Sequence, residues 1–324
     1  MTDIHVVILA AGKGTRMKSQ LPKVLHKIGG LSLIERVLRT ASALTPASIT
    51  VVVGHGADEV KHALANRTTL QFVTQEQQLG TGHALLQTRP LLEGKTGTVV
   101  LLSGDVPLLT ADSLQGMLET HVEAGAAATV MTANFVRPFG YGRIVRTNGR
   151  IAKIVEERDT NEAQKAINEI NSGIYAFDLA PLFPALDSIG TANKQGEYYL
   201  PDLVAIYRKQ KREVATWTVG RPDDIRGINS RTELAEVSTM VRQQKNEELM
   251  AAGVTLIDPA TTYVDADVVV GPDTVIYPCV FLEGSTKIGS ACEIHSGSRI
   301  VNSTIGDRVC VRNHTVVSDS TVDA

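Results

Sequence analysis

Cysteine is scarce in this chain: Cys279, Cys292 and Cys310 are the only three among 324 residues. They are too few and too widely spaced for a disulfide framework or a zinc cluster, which fits a reducing cytoplasm. Long hydrophobic runs are missing too. No apolar stretch approaches the roughly 20 residues needed to cross a bilayer, so no membrane association is expected. Met1-Thr2-Asp3 carries no basic n-region, and Ile4 to Ala11 runs straight into a Gly/Lys loop, so no secretory leader is expected. Nor is there an excess of positive charge: 32 Lys+Arg against 35 Asp+Glu give a net −3. That argues against a broad basic surface for nucleic acid, while leaving room for a local basic pocket.

What is present suits a folded globular protein, with 43% hydrophobic and 21% charged residues. The length predicts about two domains. Over residues 1–230, short β-branched runs (Ile4 to Leu9, Ile49 to Val53, Val99 to Leu102) alternate with apolar residues at helical spacing, such as Ile34, Val37, Leu38 and Ala41. This pattern predicts an α/β, Rossmann-like domain with a mainly parallel sheet. Ligands of such sheets sit outside the C-terminal ends of the strands, so the loops there carry the information. Asn148-Gly149 predicts a tight hairpin between Arg143 to Arg146 and Ile151 to Val155. Further on, a strand is expected from Ile170 to Phe177, a helix from Tyr199 to Lys211 and a strand from Val214 to Val219. A polar-faced linker helix is expected over 231–252.

Residues 253–324 change period. Val264, Val270, Ile276, Leu282, Ile288, Ile294 and Ile300 recur every six residues, and Val268, Thr274, Val280, Thr286, Cys292 and Ser298 form a row of small or β-branched residues beside them. The register slips by one and resumes at Ile305, Val311 and Val317. A left-handed parallel β-helix has this period, because each flat face takes six residues and points one aliphatic side chain inward. Cys292 then reads as core filler.

Three loops stand out. Leu9-Ala10-Ala11-Gly12-Lys13-Gly14-Thr15-Arg16-Met17 closes the first strand, with Leu21-Pro22-Lys23 after it. A glycine-rich turn there exposes N–H groups to phosphate oxygens. It is neither a Walker A loop, since Val7 and Gly14 occupy that motif's Gly and Ser/Thr positions, nor a dinucleotide fingerprint, since Met17 replaces the third glycine. Gln75-Glu76-Gln77-Gln78-Leu79-Gly80-Thr81 offers amides, which present donor and acceptor together. Ser103-Gly104-Asp105 puts a carboxylate just past a buried strand, where it could hold Mg²⁺. Asp112 fits a helix N-cap or turn aspartate better than Asp105 does, and His83 reads as structural.

The string Ala10-Ala11-Gly12-x-Gly14-Thr15-Arg16-Met17 with Leu21-Pro22-Lys23 is similar to the signature of sugar-phosphate nucleotidyltransferases. Together with Tyr141-Gly142-Arg143, Val155-Glu156-Glu157, Glu169 to Gly173, Gly196 to Tyr199 and Gly227 to Arg231, the chain resembles the N-acetylglucosamine-1-phosphate uridylyltransferases along essentially its whole length. The resemblance implies transfer of UMP from UTP to N-acetyl-α-D-glucosamine 1-phosphate, giving pyrophosphate and UDP-N-acetylglucosamine, a precursor of peptidoglycan and lipopolysaccharide. It implies Arg16 and Lys23 as catalytic cations, and nucleotide contacts from Leu9, Ala10, Ala11, Gly12, Gln75, Gln78, Gly80, Thr81, Ser103 and Gly104. Gly142, Glu156 and Asn171 would meet the N-acetylglucosamine, with Glu197 to Tyr199 in the pocket wall, and Asp105 and Asn229 would ligate Mg²⁺. Many relatives carry a different residue at Ser103. Bifunctional relatives continue through further β-helix coils that bear an acetyltransferase site. With the sequence ending at Ala324, the expectation is uridylyl transfer without acetyl transfer, and a homotrimer formed through the β-helix.

Overall fold

The first β-branched run becomes β1 (Ile4–Ala10) in the computed structural model, which describes residues 3–323. Met1 and Thr2, on which the reading of the N-terminus partly rests, lie outside the described residues, as does Ala324. The following strands are β2 (Ser48–Val53), β3 (Leu70–Thr74), β4 (Thr98–Ser103), β5 (Ala128–Asn134), β6 (Gly142–Thr147), β7 (Arg150–Val155), β8 (Glu169–Asp178) and β9 (Val214–Thr218). They form one sheet in the order β9-β5-β8-β4-β1-β2-β3, with the β6–β7 hairpin attached to β8. All neighbours on the main path are parallel except β8, which runs antiparallel to β4 and β5.

Alternation along each strand feeds two cores, one on each face of the sheet. Val7, Val52, Leu101 and Tyr175 belong to one core, and Val6, Ile8, Val51, Leu102 and Ala176 to the other. The helix Leu33–Ser42 contributes Ile34, Val37, Leu38 and Ala41 to the second core, the residues whose spacing marks it in the sequence. The hairpin turn has positive φ at both Asn148 (51°) and Gly149 (77°), as a two-residue hairpin turn of this hand requires.

Two local expectations shift. The helix expected from Tyr199 begins at Asp202, with Pro201 at its N-cap, since a proline disfavours helical conformation at the residue before it. The helix Ala111–Glu123 is capped by Thr110, whose hydroxyl accepts from the Ser113 amide at 3.2 Å, so Asp112 lies in the first turn and is not the cap.

The chain divides into two compact units. The first holds the residues up to His26 and Leu33–Asn229; the second holds Lys27–Ser32 and the residues from Ser230 onward. The second unit opens with the helix Arg231–Ala251, whose N-cap Ser230 accepts from the Glu233 amide at 3.2 Å. A three-faced parallel β-helix follows, built from three sheets of four short strands each. The aliphatic row as far as Val311 and the small-residue row are buried, Ile276, Leu282, Ile294 and Ile300 completely, and Val317 is half-buried. Polar members of the small row are satisfied by coil-to-coil carbonyls: Thr274 donates to Gly289 O at 2.9 Å and Ser298 to Arg312 O at 2.8 Å. The register slip is a coil shortened by one residue, since Lys287 pairs with Thr304 whereas Val269 pairs with Lys287. No helix among the described residues is long and apolar enough to cross a membrane.

Candidate active site

β1 and β4 are parallel neighbours and end at the same edge, where the Gly104 amide donates to Leu9 O at 2.9 Å. The glycine-rich loop therefore lies beside Asp105. Beyond Gly14 the chain makes a short turn, Thr15–Met17, anchored by the buried Met17. A second turn, Lys23–Leu25, starts with Lys23. Gly14 has φ +58°, and a Cβ there would lie 2.8 Å from Lys23 Cβ, so only glycine lets Lys23 pack against the loop.

The Lys23 ammonium donates to the Asp105 carboxylate and, at 3.1 Å, to Asn229 Oδ1. Asn229 arrives through a backbone bond from the Ile228 amide to Asp105 O (2.9 Å). Residues far apart in sequence thus aim a carboxylate oxygen and an amide oxygen at one cation. That donor set suits a hard divalent ion such as Mg²⁺, which takes one or two protein oxygens and keeps waters.

Two adjoining cavities open here. One, of about 250 Å³, is lined by Leu9, Ala10, Ala11, Gly12 and Lys23 from the first loop, by Gln75, Gln78, Gly80 and Thr81 from the second, and by Ser103 and Asp105. The other, of about 190 Å³, holds Gly142, Glu156 and Asn171. Leu9, Thr81 and Ser103 line both. Gly104, between the lining residues Ser103 and Asp105, is buried and belongs to neither lining. Asn229 reaches the site through Lys23. Arg16 is exposed on its turn and belongs to neither lining. Tyr199 is also outside both: its side chain is buried, and its hydroxyl accepts from Gln195 Nε2 at 2.6 Å.

Gln75 is nearly fully buried, and its amide nitrogen is held by Gly80 O and by His83 Nδ1, each at 3.0 Å. Gln87 lies 3.2 Å from the other ring nitrogen of His83. His83 is a positioning group for Gln75, which lines the first cavity.

In the second cavity, the pairing of Gly142 with Asn171 draws the β6–β7 hairpin to β8. β8 bulges just after Asn171: the ladder to β5 shifts register between Asn171 and Tyr175. Ser172 donates to Met131 O at 2.7 Å inside the bulge, and the Gly173 amide donates to Asn171 Oδ1 at 3.1 Å. The Asn171 amide nitrogen remains as a donor. Glu156 stands opposite, its carboxyl pushed up to about 7, chiefly by burial and then by the negative charges of Asp159 and Asp202, with Arg143 opposing. Arg143 is itself buried in an ion pair with Glu157 (2.7 Å) and donates to Tyr141 O.

Several lining residues were not legible as site residues in the sequence. Val24 and Ala84 join the first cavity, and Tyr175, Leu200 and Pro201 the second, while Glu197, expected in the wall of the sugar pocket, lines the first. Tyr175 reads as an ordinary strand aromatic, yet it lines the second cavity on the same face of β8 as Asn171. Its buried hydroxyl has no hydrogen-bond partner among the described residues. Burial and then the Glu156 charge push its pKa up. Asn171 lies close enough to oppose them but does not meet hydrogen-bond geometry.

Residues 6–181 match the MobA-like NTP transferase domain family. The chain is 43% identical over 320 residues to the bifunctional protein GlmU of Streptococcus gordonii, spanning 98% of this chain and 69% of that protein. It is 46% identical over 312 residues to the bifunctional protein GlmU of Levilactobacillus brevis, spanning 96% of this chain and 68% of that protein. Among solved structures, one described as a glucose-1-phosphate thymidylyltransferase from Bacillus anthracis superposes with a TM-score of 0.61. It is 18% identical and covers 74% of this chain and 95% of its own, a likeness of fold.

Proposed function

Since this chain belongs to the family of the bifunctional GlmU proteins and is a nucleotidyltransferase, we propose that it transfers UMP from UTP to N-acetyl-α-D-glucosamine 1-phosphate, forming UDP-N-acetylglucosamine and pyrophosphate. The observation that carries this reading is the pair of cavities sharing Leu9, Thr81 and Ser103. One has backbone amides, glutamine side chains and a lysine, as a nucleoside triphosphate would need. The other has a carboxyl, an amide and a bare glycine, as sugar hydroxyls and an acetamido group would need. Two substrates lying end to end in them would meet beside Lys23.

An oxygen of the sugar phosphate attacks the α-phosphorus of UTP in line. A new O–P bond forms as the bond from the α-phosphorus to the α–β bridging oxygen breaks, and that oxygen leaves with the electron pair as a terminal oxygen of pyrophosphate. The attacking oxygen of the sugar phosphate is already anionic at neutral pH, so no base and no covalent intermediate are required. The barrier is the meeting of two polyanions, and the protein's part is positioning and fixed positive charge. Lys23 supplies a point charge within the first cavity. Arg16, exposed and without a partner among the described residues, is free to fold its guanidinium onto the β- and γ-phosphates. Asp105 and Asn229 would hold Mg²⁺, which when bound neutralises charge on the reacting phosphates.

The test is pyrophosphate release from UTP with N-acetylglucosamine 1-phosphate, glucosamine 1-phosphate and glucose 1-phosphate in parallel. The N-acetylated sugar is expected to be strongly preferred. No release with any of the three would remove the proposed reaction, and equal rates with all three would remove the sugar assignment.

A further inference from the structure

Away from the two cavities, on an outer face of the β-helix, Glu293, His295 and Cys310 come together. Glu293 begins a two-residue strand and His295 follows it directly, so both side chains project from the same face. Cys310 pairs opposite Glu293 in the next coil, an alignment set by the coil shortened by one residue. One ligand atom from each residue (a carboxylate oxygen, an imidazole nitrogen and the thiol sulfur) lies within 4.8 Å of the others. His295 Nε2 stands 3.2 Å from Glu293 Oε2. The ring is fixed by stacking on Tyr277 in the preceding coil, with centroids 4.6 Å apart and planes 11° apart.

We propose that Glu293, His295 and Cys310 form a binding site for a divalent metal ion of borderline softness, of the zinc type. Sulfur and imidazole donors discriminate against magnesium and calcium, which take oxygen ligands, and favour zinc. Three protein ligands of these types leave the fourth tetrahedral position to water. The donors need to close only slightly, because zinc binds them at roughly 2.0–2.3 Å and so holds them about 3.3–3.7 Å apart. A stacked imidazole loses little freedom on binding. Coordination replaces the proton of the Cys310 thiol with the metal and releases it to solvent, so affinity rises with pH. The site lies in the second unit and is independent of the transferase reading.

The test titrates the full chain, stripped with a chelator, with Co²⁺ and then Zn²⁺. One equivalent of Co²⁺ is expected to give a thiolate-to-cobalt charge-transfer band that Zn²⁺ removes. Cobalt held by oxygen ligands elsewhere, such as Asp105, gives no such band. Cys310→Ser is expected to abolish the band, His295→Ala to weaken cobalt binding at least ~10-fold, and Cys279→Ser, at the other exposed thiol, to change nothing. In the unaltered chain, Zn²⁺ should slow alkylation of Cys310 and not of Cys279, which needs no variant to fold. Absence of the band, its persistence in Cys310→Ser, or equal alkylation of Cys310 with and without zinc would each overturn the proposal.

Discussion

The ammonium of Lys23 donates to the carboxylate of Asp105, a residue 82 positions later in the chain. The same ammonium bonds Asn229, so it occupies the position where oxygens from two segments converge. Lys23 and a divalent ion therefore compete for Asp105. Lys23→Ala is expected to lower kcat by roughly 10²–10³, the scale for one pre-organised charge, while tightening Mn²⁺ binding to the substrate-free enzyme. Asp105→Ala should abolish turnover and Mn²⁺ binding together. Steady-state pyrophosphate release and paramagnetic titration read the two effects separately. Weaker Mn²⁺ binding in Lys23→Ala would show that the lysine supports the cation and does not displace it.

Arg16 tests a different kind of contact. It is exposed and lines neither cavity, so truncating it costs the fold little. Arg16→Ala is expected to lower kcat by roughly 10²–10³ with an unchanged melting temperature. Arg16→Lys should restore only a minor part, because a point charge cannot reproduce a planar, two-pronged grip on phosphate oxygens. Full recovery with lysine would mean that charge alone matters there.

Glu156 makes stability depend on pH. Its carboxyl sits at about 7 in the folded protein against an ordinary 4.5. Between these values the folded chain keeps a proton that the unfolded chain has lost. Its contribution is whole below pH 4.5 and is lost as pH rises through 7, a change on the order of 3 kcal/mol. Asp202, also raised by burial, acts in the same direction. Urea midpoints at pH 5 and pH 8 should therefore differ less in Glu156→Gln than in the parent, with the variant the more stable at pH 8. Identical pH slopes would locate the proton elsewhere.

Much of this architecture is legible in the sequence because it is periodic or local. The buried runs of β1 and β4, the Asn148-Gly149 turn and the six-residue aliphatic repeat each follow from side-chain spacing alone. What escapes depends on registers that no local pattern encodes. The strand pair Lys27–Ile28 and Leu31–Ser32 joins the second unit through a bond from the Ala266 amide to Gly29 O, far along the chain. Tyr175 lines a cavity because the β6–β7 hairpin pairs with β8 beside it, at a position that reads as ordinary core. Cysteine spacing argues against a metal cluster, yet a coil one residue short aligns Cys310 with Glu293. Tyr199 carries the same lesson from the other side: its neighbours Leu200 and Pro201 line the cavity, while its own hydroxyl is held by Gln195.

Gly142 shows how closely the second cavity is fitted. A Cβ at this position would lie 3.1 Å from Glu156 Oε1, 3.1 Å from Ile154 Cγ2 and 3.5 Å from Asn171 Cβ. Ile154 is packed in the core and cannot retreat, so the carboxyl of Glu156 must give way by a few tenths of an ångström. Gly142→Ala is therefore expected to act on one substrate only. KM for N-acetylglucosamine 1-phosphate should rise about tenfold, equivalent to about 1.4 kcal/mol, with KM for UTP unchanged because Gly142 is outside the first cavity. The same change should weaken the pH dependence assigned to Glu156, as the displaced carboxyl reaches water. A rise in both KM values together would mean that the two cavities act as a single pocket.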